Sequence, residues 1–141
     1  MPAEMSDLCM IDSNIWLYAF VEHGEPQKQA VARQLLAQPE VVVSTQIVNE
    51  VCLNLLKKAD FTEEQIRRLI RSFYQRYSVT VIDQTTMLAA VELRGRYSFS
   101  FWDSLVVAAA LQTGCGLLYT EDMQHGLLVD DRLKVVNPFA A

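Results

Sequence analysis

The sequence predicts an α/β fold, a three-layer α/β/α sandwich around a central parallel sheet. Short apolar runs alternate with longer segments of helical periodicity almost throughout the 141 residues. This alternation is typical of parallel strands that are covered by helices on both faces. The length and the 51% hydrophobic content match one globular domain with a substantial core. We therefore expect a single domain over residues 1–141, with residues 1–6 as an N-terminal extension.

The predicted elements follow one another in a strand and helix alternation. Local chemistry marks several boundaries, since Thr62 with Gln65 three residues later forms a capping box, Asp83 is a plausible N-cap, and glycines 114 and 116 stand where a helix must stop. The strands are expected in DLCMI (7–11), VVVS (41–44), SVTVI (78–82), GLLYT (116–120) and LKVV (133–136). The helices are expected over 14–22, 26–37, 45–58, 62–77, 85–96 and 102–113.

Charge is unevenly distributed along the chain, whose formal net charge is -5. Residues 57–96 contain eight basic and five acidic side chains, a net charge of +3, whereas the remainder contains four basic and twelve acidic ones, a net charge of -8. This division favours a protein that holds a polyanion with its basic part and binds a metal with its acidic part. A helix of mixed charge over 62–77 is equally typical of a solvated face.

Cysteine spacing and hydropathy exclude several classes of protein. Cys9, Cys52 and Cys115 are far apart and odd in number, so we expect buried reduced thiols rather than a disulfide framework or a zinc site. No apolar run approaches the roughly 18–20 residues of a membrane span, and the first residues lack the pattern of a signal peptide. We expect a cytoplasmic protein that does not contact membranes.

Four acidic residues fall where strands end or where the following helices begin. Asp12 ends the first strand, Glu50 lies in the first or second turn of the helix after VVVS, Asp103 lies in the first turn of the apolar helix, and Asp122 follows GLLYT. In a parallel sheet these positions share one edge, where ligands bind. Each acid also has a simpler interpretation: an N-cap for Asp12, a helix-dipole contact for Asp103, a turn residue for Asp122 and a solvent-facing residue for Glu50.

A cluster of four carboxylates needs a compensating charge. Two carboxylates about 5 Å apart repel by roughly 3 kcal/mol at an effective dielectric near 20. Oxygen ligands without cysteine select a hard divalent cation, Mg²⁺ or Mn²⁺, that keeps several waters and meets substrate phosphates. His23 and His125 lie in polar, turn-like contexts, and we assign them no catalytic role.

The motifs around these acids resemble the PIN domain of metal-dependent ribonucleases. They are D-S-N after an apolar strand, the glutamate of T-Q-I-V-N-E-V, then F-W-D-S-L-V-V-A-A-A-L and L-L-Y-T-E-D. Within that family the sequence is most similar to the VapC-type toxins of bacterial toxin-antitoxin pairs. The resemblance covers nearly the whole chain, including the closing LKVVNPF.

The resemblance implies an acidic quartet that is both catalytic and metal-binding. Carried over residue by residue, it falls on Asp12, Glu50, Asp103 and Asp122. The expected cofactor is Mg²⁺, with Mn²⁺ as the alternative.

The resemblance also implies supporting residues and partners. Asn14 and Thr120 match polar positions that orient the carboxylates, and Glu121, beside Asp122, is an alternative for the fourth acid. A homodimer and a small antitoxin that blocks the acidic site are expected on the same ground.

These observations predict a metal-dependent endoribonuclease that hydrolyses RNA phosphodiester bonds. Arg67, Arg68 and Arg71, at helical spacings, are candidates to hold the RNA backbone. One alternative is phosphoryl transfer through an aspartyl-phosphate, which fits poorly because the chain has Asp12-Ser13-Asn14 where such phosphatases carry D-x-D. The other is a catalytically inactive PIN-like protein that binds RNA or acts as a scaffold.

Overall fold

The computed structural model describes residues 6–21 and 24–140, so residues 1–5 of the expected extension and His23 lie outside the described residues. The predicted alternation of strands and helices is confirmed. In chain order the elements are β1 (Cys9–Ile11), α1 (Ser13–Phe20), α2 (Pro26–Leu36), β2 (Val41–Ser44), α3 (Thr45–Lys58), α4 (Glu63–Arg76), β3 (Ser78–Thr80), α5 (Gln84–Arg96), α6 (Phe101–Gln112), β4 (Leu117–Tyr119), β5 (Leu128–Val129) and β6 (Leu133–Val136).

The strands form one sheet in the order β3-β2-β1-β4-β6-β5. All neighbouring pairs are parallel except β5 and β6, which are antiparallel. The fold class is therefore confirmed, but the sheet is mixed and not wholly parallel. Asp130 and Asp131, with φ angles of 50° and 55°, turn the chain back between β5 and β6 and so produce the added edge strand.

The helices flank the sheet in two groups. The chain runs from β1 to β2 to β3 in one direction and then returns past β1 to β4. Because parallel crossovers are right-handed, α1 to α4 lie on one face of the sheet, and α5 and α6 lie on the other. The packing agrees with this division, since α1 packs against α2 and α3, α3 against α4, and α5 against α6.

The core lies on both faces of the central strands. Every residue of β1 and β2 is buried, and α6 is buried continuously over residues 104–110, as its all-round apolar sequence predicts. On the other face, Trp16 packs edge-on against Phe73 and Tyr77, and its indole N–H donates to the carbonyl of Ile11 at 2.9 Å. These contacts fix α1 and α4 beside the end of β1.

Most of the predicted boundaries are confirmed. Thr62 and Gln65 form a reciprocal capping box at α4, Asp83 caps α5, and Gly114 follows α6 with a φ of 76°. All three cysteines are buried free thiols. Within residues 6–21 and 24–140, every helix is too short or too polar to span a lipid bilayer.

Candidate active site

The acidic residues gather around the point where the sheet order reverses. β1 and β4 are neighbours, yet the crossovers that leave β1 and that arrive at β4 run on opposite faces of the sheet. Such a switch point opens a crevice beyond the carboxyl ends of the two strands. Asp12 directly follows β1, and Thr120 directly follows β4.

Asp12 is held by two hydrogen bonds at the floor of this crevice. The Ser13 backbone N–H donates to Oδ1 at 2.8 Å, and the Thr120 hydroxyl donates to Oδ2 at 2.8 Å. The Thr120 oxygen in turn accepts from the backbone N–H of Asp122 at 3.2 Å. One hydroxyl therefore connects the first and fourth acids of the expected quartet.

The carboxyl group of Asp12 is buried, with only 4% of the residue exposed. Burial raises the pKa of Asp12 to about 6, and the negative charges of Glu50 and Asp103 act in the same direction. The hydrogen bonds from Thr120 and Ser13 oppose this rise in pKa. Within the described residues no lysine, arginine or histidine forms a salt bridge with Asp12, so the charged form lacks a cationic partner.

Asp103 approaches the crevice from the first turn of α6, and Glu50 approaches it from the second turn of α3. The backbone N–H of Asp103 donates to the N-cap hydroxyl of Ser100 at 3.0 Å, which fixes the start of α6. Burial raises the pKa of Asp103, and the charges of Asp122 and Glu50 add to that rise. Glu50 accepts a hydrogen bond on Oε2 from the indole N–H of Trp102 at 2.7 Å. Glu50 and Asp103 thus lie within electrostatic reach of Asp12, and Asp122 lies within reach of Asp103.

The arrangement suits a hydrated hard cation better than a closed cage. No three histidine, cysteine, aspartate or glutamate side chains in the described part of the chain are close enough to form a ready-made metal site. The available donors are nevertheless carboxylate oxygens around a buried, unpaired Asp12, and Mg²⁺ and Mn²⁺ bind such oxygens while keeping several waters. The residues present therefore fit an ion of this class.

Asn14 and Glu121 behave differently from the four acids. The amide nitrogen and oxygen of Asn14 are buried without a hydrogen-bond partner, so the amide forms no hydrogen bond to the carboxylates that it was expected to orient. Glu121 accepts from the Tyr18 hydroxyl at 2.6 Å and pairs with Lys28. Although burial raises the pKa of Glu121, the hydrogen bonds from Lys28 and Tyr18 bring it below its usual value. The carboxylate beside Asp122 is therefore already neutralised.

The candidate RNA-binding arginines lie on α4. Arg67 and Arg68 are exposed and pair with Glu64 at 3.3 Å, and Arg71 is exposed as well. In the described residues no hydrogen bond or salt bridge joins these three side chains to the four acids of the expected quartet.

The structure adds residues that sequence reasoning missed. Trp102 contacts Glu50, and Lys28 with Tyr18 holds Glu121. The one available sequence signal was the pair of aromatic residues directly before Asp103 in F-W-D, because large aromatic side chains in a polar first turn are unusual for a solvent-facing position.

Comparison with known proteins adds independent information. The sequence model of the PIN domain matches residues 9–126. A toxin-antitoxin complex from Klebsiella pneumoniae is similar in structure, with 22% identity and a TM-score of 0.70, covering 94% of this chain and 99% of that chain. VapC20 from Mycobacterium tuberculosis, a toxin that cleaves the sarcin-ricin loop, is 17% identical with a TM-score of 0.65, covering 81% of this chain and 91% of that chain.

A third similar structure is VapBC2 from Rickettsia felis bound to a DNA fragment from its promoter. It is 17% identical with a TM-score of 0.63, and the match covers 92% of this chain and 99% of that chain. No curated protein sequence matches the chain significantly.

Proposed function

Because the chain belongs to the PIN domain family, we propose that it is a Mg²⁺-dependent endoribonuclease and the toxin component of a type II toxin-antitoxin pair. The observation that carries the proposal is the buried carboxylate of Asp12, which has no cationic partner in the described residues and lies within range of the charges of Glu50 and Asp103. Asp103 is in turn affected by the charge of Asp122. Burying an unpaired carboxylate costs several kcal/mol, and a site that binds a cation recovers that cost.

The four acids have distinct roles in this proposal. Asp12, Glu50 and Asp103 would hold the ion directly or through water, and Asp122 would complete a second position or orient the attacking water. A divalent ion bound there would supply a water of lowered pKa and neutralise charge on the phosphate. Thr120 keeps the Asp12 carboxylate oriented and favours its charged form, since its hydroxyl donates to Oδ2 at 2.8 Å.

The reaction is hydrolysis of an RNA phosphodiester. Water adds to phosphorus in line with the leaving 3′ oxygen, so the products carry 5′-phosphate and 3′-hydroxyl ends. Arg67, Arg68 and Arg71, which are exposed on α4, are the proposed contacts to flanking phosphates. Arg67 and Arg68 would first give up their present contacts with Glu64.

The decisive test is cleavage of total cellular RNA by the purified protein, with Mg²⁺, with Mn²⁺ and with EDTA. We expect metal-dependent cuts that yield 5′-phosphate ends and that disappear in Asp12→Asn. If Asp12→Asn cuts as the wild type does at saturating Mg²⁺, the assignment of the site is wrong. If the protein binds RNA equally well with EDTA and with Mg²⁺ and produces no new RNA ends, it is instead a catalytically inactive RNA-binding protein.

We also propose a small antitoxin as partner, because two of the similar structures are toxin-antitoxin assemblies and a third is a toxin. We expect an apolar segment of the antitoxin that also carries acidic residues to bind in a groove of about 350 Å³ between α1, α2 and α4. Its walls include Trp16, Phe20, Phe73 and Tyr77, together with Arg33 and Arg76. A small open reading frame next to this one, whose product copurifies with the chain, is the expected finding.

A homodimer is supported by an exposed apolar strip on α5. Met87, Leu88 and Val91 are 46%, 64% and 57% exposed, and their spacing places them along one side of the helix. Val81, just before α5, is 66% exposed. A contiguous apolar strip of this kind is a self-association surface, and two-fold pairing buries the same strip on both copies. Light scattering of the purified protein measures its molecular mass and so distinguishes a dimer from a monomer.

A further inference from the structure

We propose that Trp102 is the residue that contacts a nucleobase beside the scissile phosphate, a role that rests on the proposed ribonuclease function. Trp102 lies in the first turn of α6, directly before Asp103. It is 44% exposed, whereas the other tryptophan of the chain, Trp16, is 1% exposed. The acidic crevice therefore has a large aromatic ring at its mouth.

Trp102 is held in place at two points, one on its ring and one on its backbone. Its indole N–H donates to Glu50 Oε2 at 2.7 Å, and its backbone carbonyl accepts from the Gln46 side-chain amide at 3.2 Å. Gln46 is itself buried on α3. Because α3 and the start of α6 are joined through these bonds, the ring is a rigid platform, and little conformational entropy is lost when a ligand contacts it.

The exposed part of the ring suits a base rather than a phosphate. The one polar group of the indole is already bonded to Glu50, so what remains open to solvent is apolar. Bases are uncharged and stack on aromatic rings, whereas the surrounding carboxylates repel phosphates that no cation neutralises. Trp102 is adjacent to Asp103 in the sequence. An RNA strand with a phosphate at Asp103 therefore has the base of a neighbouring nucleotide beside Trp102.

This contact selects for an unpaired nucleotide. Stacking on a protein ring requires a base that has left its own helical stack, so loops and single strands are favoured over duplex RNA. Every base has a π face, so the contact by itself is tolerant of sequence. Trp102 thus contributes to substrate binding, and through Glu50 it also positions the acidic site.

Two substitutions separate these roles. Trp102→Phe keeps an aromatic ring but removes the N–H that holds Glu50, and Trp102→Leu removes both. We expect Trp102→Leu to raise KM for single-stranded RNA about tenfold or more, the loss typical of one base stack. Trp102→Phe should keep KM near the wild-type value while lowering kcat. Tyr74→Leu, at an exposed aromatic on α4, is the matched control and should change neither constant.

Fluorescence gives a readout that does not require cleavage. Since Trp16 is buried, acrylamide quenching of the chain reports on Trp102. We expect a short single-stranded RNA to protect Trp102 from acrylamide in the inactive Asp12→Asn variant with Mg²⁺ present, and an RNA with an abasic nucleotide at the cut site to protect it less.

The possible failures are distinguishable. If Asp12→Asn binds RNA by anisotropy while the quenching stays unchanged, or if Trp102→Leu keeps the wild-type KM, the base contact is overturned and the ribonuclease proposal stands. If the wild type makes no metal-dependent cuts, the ribonuclease proposal is overturned, and with it the role of Trp102 that rests on it. Absence of any RNA binding by either form overturns both.

Discussion

Asp12→Asn should make the metal-free protein more stable while it abolishes cleavage. The folded protein holds the Asp12 pKa at about 6 against an ordinary value of 3.8, chiefly because the carboxyl group is buried. The folded state therefore binds a proton more tightly than the unfolded state does. By linkage, the contribution of Asp12 protonation to the free energy of unfolding is fully present below about pH 4. This contribution is lost as the pH rises through 6 and stays low above it.

The magnitude follows from the pKa difference. About two pKa units at 1.36 kcal/mol per unit give about 3 kcal/mol, a large share of the 5–15 kcal/mol that stabilises an ordinary domain. Asparagine is uncharged and nearly the same size, and it retains an oxygen for the Ser13 N–H and an amide for the Thr120 oxygen. We expect the free energy of unfolding of Asp12→Asn to exceed that of the wild type by up to about 3 kcal/mol at pH 8, which is roughly 6–12 °C in Tm. Near pH 4 the two proteins should differ by almost nothing.

The assay is urea denaturation of both proteins in EDTA between pH 4 and 8. Asp60→Asn is the matched control, since Asp60 is exposed and has a φ of 54° that asparagine tolerates, so its stability should change by less than about 0.5 kcal/mol at any pH. Adding Mg²⁺ should stabilise the wild type more than it stabilises Asp12→Asn. A stability difference that does not grow with pH, or a loss at pH 8, would refute the reasoning.

Other expected outcomes address neighbouring residues. Glu121→Gln should keep cleavage within a few-fold of wild type, whereas Asp122→Asn should reduce kcat at least a hundredfold. The reason is that Glu121 pairs with Lys28, whereas Asp122 forms no salt bridge among the described side chains; equal losses would contradict this. Thr120→Val should shift the acid limb of the pH–rate profile upward, since the lost hydrogen bond favours the charged Asp12, and Thr120→Ser should restore it. Leu88→Glu should convert a dimer into monomers in light scattering, and an unchanged mass would place the interface elsewhere.

Local patterns in the sequence were enough to locate most of the fold. Among the elements of residues 6–21 and 24–140, periodicity and caps predicted five of the six strands and all six helices to within a few residues. β5 was missed because this strand, Leu128–Val129, is only two residues long and lies among turn residues, where no hydrophobic period can be recognised. Its pairing with β6 depends on the left-handed backbone of Asp130 and Asp131, which a composition rich in turn formers does not specify.

The candidate site shows the same division. Strand ends and helix starts predicted that the acids would share one edge, since topology alone imposes that placement. The partners of each acid were not predictable, because they come from distant parts of the chain: the indole that holds Glu50 is 52 residues away, and the hydroxyl that holds Asp12 is 108 residues away. Lys28, the cationic partner that distinguishes Glu121 from Asp122, is likewise indicated by no motif.

The central position of β1 has a consequence for the order in which the site forms during synthesis. β1 is made early, but its neighbour β4 pairs with β6, and the Thr120 backbone N–H donates to the carbonyl of Val136 at 3.0 Å. Until Val136 has left the ribosome, Thr120 lacks this support and the crevice beside Asp12 has only one wall. A nascent chain that ends before Val136 therefore lacks the support that completes the crevice beside Asp12.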